Sequence, residues 1–246
     1  MRLLDASLRP HIAAIYALVR VGDEIVDTYR GKDIPSQLDT LEQETKRALA
    51  SGYSANIIVH AFALTAREFD IPASYVTAFF KSMRDDISRT AYTQKQYETY
   101  IYGSAEVVGL MCLRVFAPDH FEAFESGARR LGAGYQKVNF LRDIAADHHE
   151  LGRWYFPTGS YATFNDVAKK RLVAEIKKDF AAGQKAALKL PASSRYAVLL
   201  SVAYYSQLLK KVEKTHVETL KVKRVRVNDL TKLILFMKAR LHLYGA

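Results

Sequence analysis

The chain has 246 residues, 49% of them hydrophobic, which is enough for one sizeable core and too apolar for a disordered polypeptide. A single cysteine, Cys112, excludes an intrachain disulfide framework and a cysteine-based metal cluster, and it fits a reducing, cytoplasmic setting. The net charge of +10 favours anionic partners: nucleic acid, an acidic membrane surface or phosphorylated small molecules.

In chain order, Asp5 and Arg9 interrupt the N-terminus, so no signal peptide is read there. Ile12, Ile15, Val19 and Val26 recur at helical spacing and predict a first helix. Pro35 and Ser36 mark the start of a second. The uncharged run from Ala48 to Ala66 contains Gly52, Asn56 and His60, so it reads as a turn and a core helix rather than a membrane span. A helix after Ser54 is expected to end near Asp70, and Pro72 opens the next. The stretch "TQKQYETYIYGSAEVVGLMCLRVF" predicts a long helix kinked near Gly103 and Gly109. Another runs from about 120 to 150, where Gly152 stops it, and "GRWYFP" is a loop. Helices near 165–189, 193–218 and 227–243 complete one all-α domain of eight or nine helices spanning 1–246. No fixed-period repeat interrupts it.

Two acid pairs stand out. Asp23 and Asp27 are four apart in the first helix, and Asp143 and Asp147 are four apart in the helix over 120–150. Like charges at this spacing repel by about 0.2–0.5 kcal/mol. Four carboxylates converging on one cavity need cations, and hard anionic oxygens suit Mg²⁺, whose shell is commonly completed by water and phosphate. Tyr16, Arg20, Asp23 and Asp27 form one helical stripe; Gln136, Asn139, Asp143 and Asp147 form another, with Arg142 adjacent. The bland reading is two solvated faces with local Arg–Asp pairs. Two such stripes in one chain favour a groove that takes a diphosphate and its metals.

At these stretches the chain resembles the squalene and phytoene synthases. "YALVRVGDEIVD" resembles the family's first aspartate-rich motif. "NFLRDIAADHHELGRWYFP" resembles the second, with its trailing G-R-x-Y-x-P, and is the most specific of the matches. "YETYIYGSAEVVGLMCL" resembles the central helix, and "YYSQLLKKVE" followed by "KRVRVNDLTK" the C-terminal region. The similarity runs from about residue 3 to 240 in the family's order.

The resemblance implies a single-domain class I isoprenoid synthase helical bundle with a central cavity. Two prenyl diphosphates would condense head to head through a cyclopropylcarbinyl diphosphate. Two geranylgeranyl diphosphates giving phytoene is the leading case, because the central helix most resembles bacterial carotenoid-pathway members. Dehydrosqualene or squalene from farnesyl diphosphate is the runner-up, and a non-catalytic assembly protein is the rival from another class. By position, Asp23, Asp27, Asn139, Asp143 and Asp147 would hold Mg²⁺, with Mn²⁺ as a substitute; NADPH would be needed only for squalene. Arg20, Asn139, Arg142, Tyr205 and Arg224 would grip diphosphate or metal, and Tyr100 and Gln136 would line the reacting centre. Tyr16 would sit beside the first motif, and Ser104, Val108 and Gly109 would form the hydrocarbon wall. Two departures are visible: the family's serine-containing N-terminal segment is short or missing, and Glu106 stands where many members have glycine.

Other residues read more blandly. Asp85 and Asp86 are adjacent, point in different directions on a helix, and are read as salt-bridge or surface residues. His148, His149 and Glu150 are read as a solvated helix end. "KVKRVRV" is read as a diphosphate contact at Arg224 with solvated neighbours, not as a nucleic-acid patch. The partners expected are prenyl diphosphates, with peripheral membrane contact as a further expectation and no nucleic acid.

Overall fold

The computed structural model describes residues 2–241, and among these no strand forms, only an isolated bridge between Ala91 and Trp154. The helices are α1 (Arg9–Asp27), α2 (Ile34–Ser51), α3 (Ile57–Glu68), α4 (Ala73–Ser88), α5 (Gln94–Ile101), α6 (Val107–Phe116), α7 (Phe121–His149), α8 (Asp166–Ala187), α9 (Ala192–Lys214), α10 (Val217–Leu220) and α11 (Asp229–Arg240). The last two residues of the helix expected over 227–243 lie outside the described residues.

Local chemistry sets the ends of these helices. Asn56 accepts from the backbone N–H of Ile58 at 3.1 Å, and Asn165 from those of Val167 and Ala168, both at 3.0 Å. Thr93 and Gln96 form a reciprocal capping box at the start of α5. Gly52 closes α2 with φ +82°, the left-handed conformation glycine adopts without penalty. The helix expected over 193–218 ends at Lys214: Thr215 and His216 are extended, and the short α10 follows.

The apolar residues form two clusters. One gathers α1–α4 around Phe62, Phe79 and Phe80; the other gathers α5–α10 around Leu141, Ile176 and Leu208. α6 serves both, giving Val107 and Met111 to the first cluster and Leu110 and Leu113 to the second. Burying one such large side chain contributes about 1.5–3 kcal/mol. α7, the longest helix, packs chiefly on α8 and α6. Its rotation is fixed by Asp179 of α8, which is buried and accepts from Lys137 at 2.9 Å and Arg130 at 2.8 Å.

The central helix expected over 93–116 is broken, and at one of the two expected positions. Residues Tyr102–Glu106 form a π-helical turn between α5 and α6, whereas Gly109 lies inside regular α6. At Gly103 the backbone of α4 is so close that a Cβ would stand 2.3 Å from the Ala78 carbonyl oxygen. The π turn swings Ser104 and Ala105 to the wall of a cavity of about 560 Å³ that α1, α6, α7, α8 and α9 enclose.

Candidate active site

The cavity is largely apolar. Val19, Val108, Gly109, Leu113, Phe116, Phe124 and Leu131 line it, and Gln136, Asn139, Ser201 and Tyr205 bring polar atoms to one end. Along α7, Gln136 and Asn139 lead on to Arg142, Asp143 and Asp147. Ser104, on the π turn, has a buried hydroxyl with no partner among the described residues. Asn139 accepts from the Tyr205 hydroxyl and donates to Gln136, both at 3.4 Å, and the Tyr205 ring stacks on Tyr135 at 4.1 Å.

The two acid pairs share one electrostatic field. Burial raises the Asp23 carboxyl to about 7, and its neighbours Asp27 and Asp86 add to the shift. Burial raises Asp147 to about 8; Asp143, Asp27 and Asp86 push the same way, while Arg153 opposes them. Neither Asp23 nor Asp147 has a hydrogen bond or ion pair to its side chain among the described residues. Asp143 is heavily partnered: Arg142 Nε donates to it at 2.9 Å and Arg224 Nε lies 2.6 Å away. Arg20 pairs with Glu24 one turn on.

Arg153 holds this arrangement together. It lies in the loop after α7, and its own backbone N–H donates to the Asp147 carbonyl at 2.7 Å. Its guanidinium donates to Asp27 at 2.8 Å, to the Val26 carbonyl at 3.2 Å and to the Asp86 carbonyl at 3.0 Å. One residue therefore joins α1 and α4 through its side chain and the end of α7 through its backbone. Asp86 is buried beneath it and accepts from the hydroxyls of Tyr100 at 2.6 Å and Tyr155 at 2.8 Å. Burial lifts Asp86 to about 6 against the pull of Arg153 and these hydroxyls.

The sequence-predicted residues fall into three groups. Ser104, Val108, Gly109, Gln136, Asn139 and Tyr205 all line the cavity. Asp27 acts on both Asp23 and Asp147, Asp143 acts on Asp147, and Arg142 and Arg224 both pair with Asp143. Tyr16 and Tyr100 are placed elsewhere. Tyr16 is 65% exposed, and Tyr100 is buried in an aromatic layer with Tyr92, Phe140 and Tyr155, outside the cavity lining. Asp85 makes the expected salt bridge, to Arg89 at 2.7 Å, and Asp86 makes one to Arg153 at 3.8 Å, but as a buried acid of the site rather than at the surface. His148 stacks on Tyr161 at 3.7 Å, and His149 meets the same hydroxyl at 2.8 Å. The sequence reading gave Arg153 and Tyr155 no role of their own and read Asp86 only as a salt-bridge or surface residue. The G-R-x-Y-x-P string held the signal for the first two, while nothing local marks Asp86 as the acid they bind.

The donor set suits a hard divalent cation: anionic oxygens, two of them, on Asp23 and Asp147, unpartnered among the described residues and raised towards neutrality by burial and by neighbouring acids. Among the described residues no three His, Cys, Asp or Glu side chains close on one point. An ion held by one or two carboxylates, with water and phosphate oxygens completing its shell, requires no such closure.

Comparison with known proteins gives the family and the fold. The squalene/phytoene synthase family profile matches residues 1–231. Phytoene synthase 2, chloroplastic, of Oryza sativa subsp. japonica is 29% identical over 256 residues, covering 95% of this chain and 63% of that protein. Phytoene synthase, chloroplastic, of Narcissus pseudonarcissus is 29% identical over 233 residues, covering 86% and 55%. The chain thus spans less than two thirds of these relatives. A crystal structure of a dehydrosqualene synthase superposes with a TM-score of 0.84 at 19% identity, covering 100% of this chain and 90% of the other. That of a squalene synthase from Alicyclobacillus acidocaldarius gives 0.74 at 22%, covering 84% and 83%. At these identities the structural likeness concerns the fold.

Proposed function

Because the chain belongs to the squalene/phytoene synthase family, we propose that it joins two allylic prenyl diphosphates head to head. The observation that carries this reading is the placement of Asp23, Asp27, Asp143 and Asp147 beside the polar end of one apolar cavity. The four aspartates, with Asn139, would hold Mg²⁺, for which Mn²⁺ can substitute. Bound there, the metal supplies Lewis-acid assistance to the departing diphosphate.

The chain's own residues account for the rest. Arg142 and Arg224, which pair with Asp143, are fork-shaped donors suited to diphosphate oxygens. They transfer to the substrate when it enters, and Arg20 does the same from Glu24. Tyr205 and Asn139 orient the diphosphate end. Gln136 and Ser104 face the carbons that react, and Val108 and Gly109 form the wall along which the hydrocarbon lies. The apolar lining excludes water that would otherwise quench an allylic cation. Tyr16 and Tyr100 act from outside the cavity, Tyr100 through its bond to Asp86.

The carbon balance is as follows. The first substrate loses diphosphate, the double bond of the second attacks the resulting cation, and one proton leaves as the cyclopropane closes. The cyclopropylcarbinyl diphosphate then loses the second diphosphate and rearranges. Loss of a second proton gives phytoene from two C20 substrates or dehydrosqualene from two C15 substrates. Hydride from NADPH in place of that loss would give squalene. Phytoene is the product we assign, on the likeness to curated phytoene synthases. Incubation with Mg²⁺ and geranylgeranyl or farnesyl diphosphate, followed by analysis of the extracted lipid, tests the assignment. A C40 triene-centred hydrocarbon from the C20 substrate supports it. A C30 product alone replaces phytoene by dehydrosqualene or squalene, and no hydrocarbon from either substrate leaves the non-catalytic reading. Asp143→Ala is expected to abolish product with helix content unchanged.

A further inference from the structure

α11 turns most of its large apolar residues outwards. It rests on α9 through the buried Leu235 and Ala239. Leu230, Leu233, Ile234, Met237 and the following Leu241 are each between 45% and 67% exposed. At about 100° per residue these five fall within an arc of about 100° on one side of the helix. Lys238 lies on one flank of that arc and Arg240 on the other, both exposed. A single exposed leucine is ordinary, but five in one stripe is a face with no partner among the described residues.

Charge says what covers it. Residues 221–240 carry seven Lys and Arg against one acid, Asp229, so six of the chain's ten surplus positive charges sit in this segment. An apolar stripe flanked by basic residues is the pattern of a helix that lies in the interface of an anionic bilayer, its apolar side among the acyl chains and its lysines and arginines at the headgroups. A nucleic acid would use the basic residues and leave the stripe in water. Among the described residues no single helix is long and apolar enough to cross a membrane, so contact through α11 would be peripheral.

We propose that the exposed face of α11, with the basic segment before it, docks this protein on anionic lipid surfaces. That segment also places Arg224 against Asp143, so the docking surface continues in sequence from the edge of the cavity's polar end. The inference rests on exposure and charge and stands whether or not the proposed reaction is correct.

Co-sedimentation with phosphatidylcholine vesicles containing about one third phosphatidylglycerol tests it, with pure phosphatidylcholine vesicles as control, at about 0.1 M salt. The protein is expected to pellet with the anionic vesicles and to stay in solution with the neutral ones. Each basic residue near an anionic surface contributes about fivefold in partitioning. Lys238→Glu with Arg240→Glu should therefore lower binding by at least about twentyfold. Leu233→Ser with Met237→Ser should lower it too, and because all four side chains are exposed both variants should keep the parent's thermal midpoint. Failure of the parent protein to pellet would overturn the proposal, as would full binding by both variants. A third contrary result is that the Leu233→Ser and Met237→Ser variant binds vesicles normally but dissociates a dimer in analytical ultracentrifugation, which would make the stripe a contact between copies of this chain.

Discussion

At the scale of single residues, the site is a balance between buried acids and the arginines that face them. Asp147 has its pKa raised from 3.8 to about 8 by burial and by Asp143. Its folded-state pKa exceeds the unfolded value, so the native state holds the proton more tightly. Metal-free stability is then greatest at low pH within this range and falls as pH rises from about 4 to about 8. Asp147→Asn removes that cost. In the presence of a chelator it should raise the melting temperature near pH 8 by about 3–6 °C, a gain of about 1–2 kcal/mol, with almost no change near pH 4, while abolishing turnover. An equal rise at both pH values would show that the carboxylate's charge is not the cause. Arg153 is the opposite case, a buried cation whose loss strands Asp86. Arg153→Met should destabilise the fold by about 3 kcal/mol in urea denaturation. Asp23 and Asp27 could be read from their spacing alone, because a repeated D-x-x-x-D on two helices has few structural explanations. Arg153 and Asp86 could not, because a salt bridge between residues 67 apart in sequence leaves no periodic trace.

At the scale of elements, periodicity located nearly every helix, and the errors lie where tertiary contact overrides local preference. Gly103 and Gly109 look alike in sequence, yet only the first accompanies a break. The reason is the approach of α4: a Cβ at Gly103 would meet the Ala78 carbonyl oxygen at 2.3 Å, whereas at Gly109 the nearest backbone atom is 3.0 Å away. Gly103→Ala should therefore cost about 1–3 kcal/mol through overpacking, as a lower urea midpoint. It should also impair turnover, because the π turn positions Ser104 on the cavity wall. An unchanged midpoint would mean that α4 retreats without strain. The end of α9 was similarly invisible: "KVEKTHVETL" keeps a helical pattern, but Lys169 donates to the Thr215 carbonyl and Asp166 accepts from the Val217 N–H at 3.3 Å, which draws the chain out of the helix there.

At the scale of the whole molecule, two hydrophobic clusters leave between them a cavity with a polar end beside four aspartates and four arginines. The all-α class and the order of the helices were legible because 3.6-residue periodicity survives in almost every segment. The depth of the cavity was not, because it depends on how far α6, α8 and α9 stand apart. The central claim is head-to-head coupling of two diphosphates in that cavity, and its most direct test is stoichiometric. Diphosphate released and hydrocarbon formed should be measured in the same Mg²⁺-containing reaction with a single prenyl diphosphate as substrate. Two diphosphates per hydrocarbon molecule, with the product twice the carbon length of the substrate, is the predicted result. One diphosphate per product of unchanged carbon length, or no hydrocarbon at all, would contradict it.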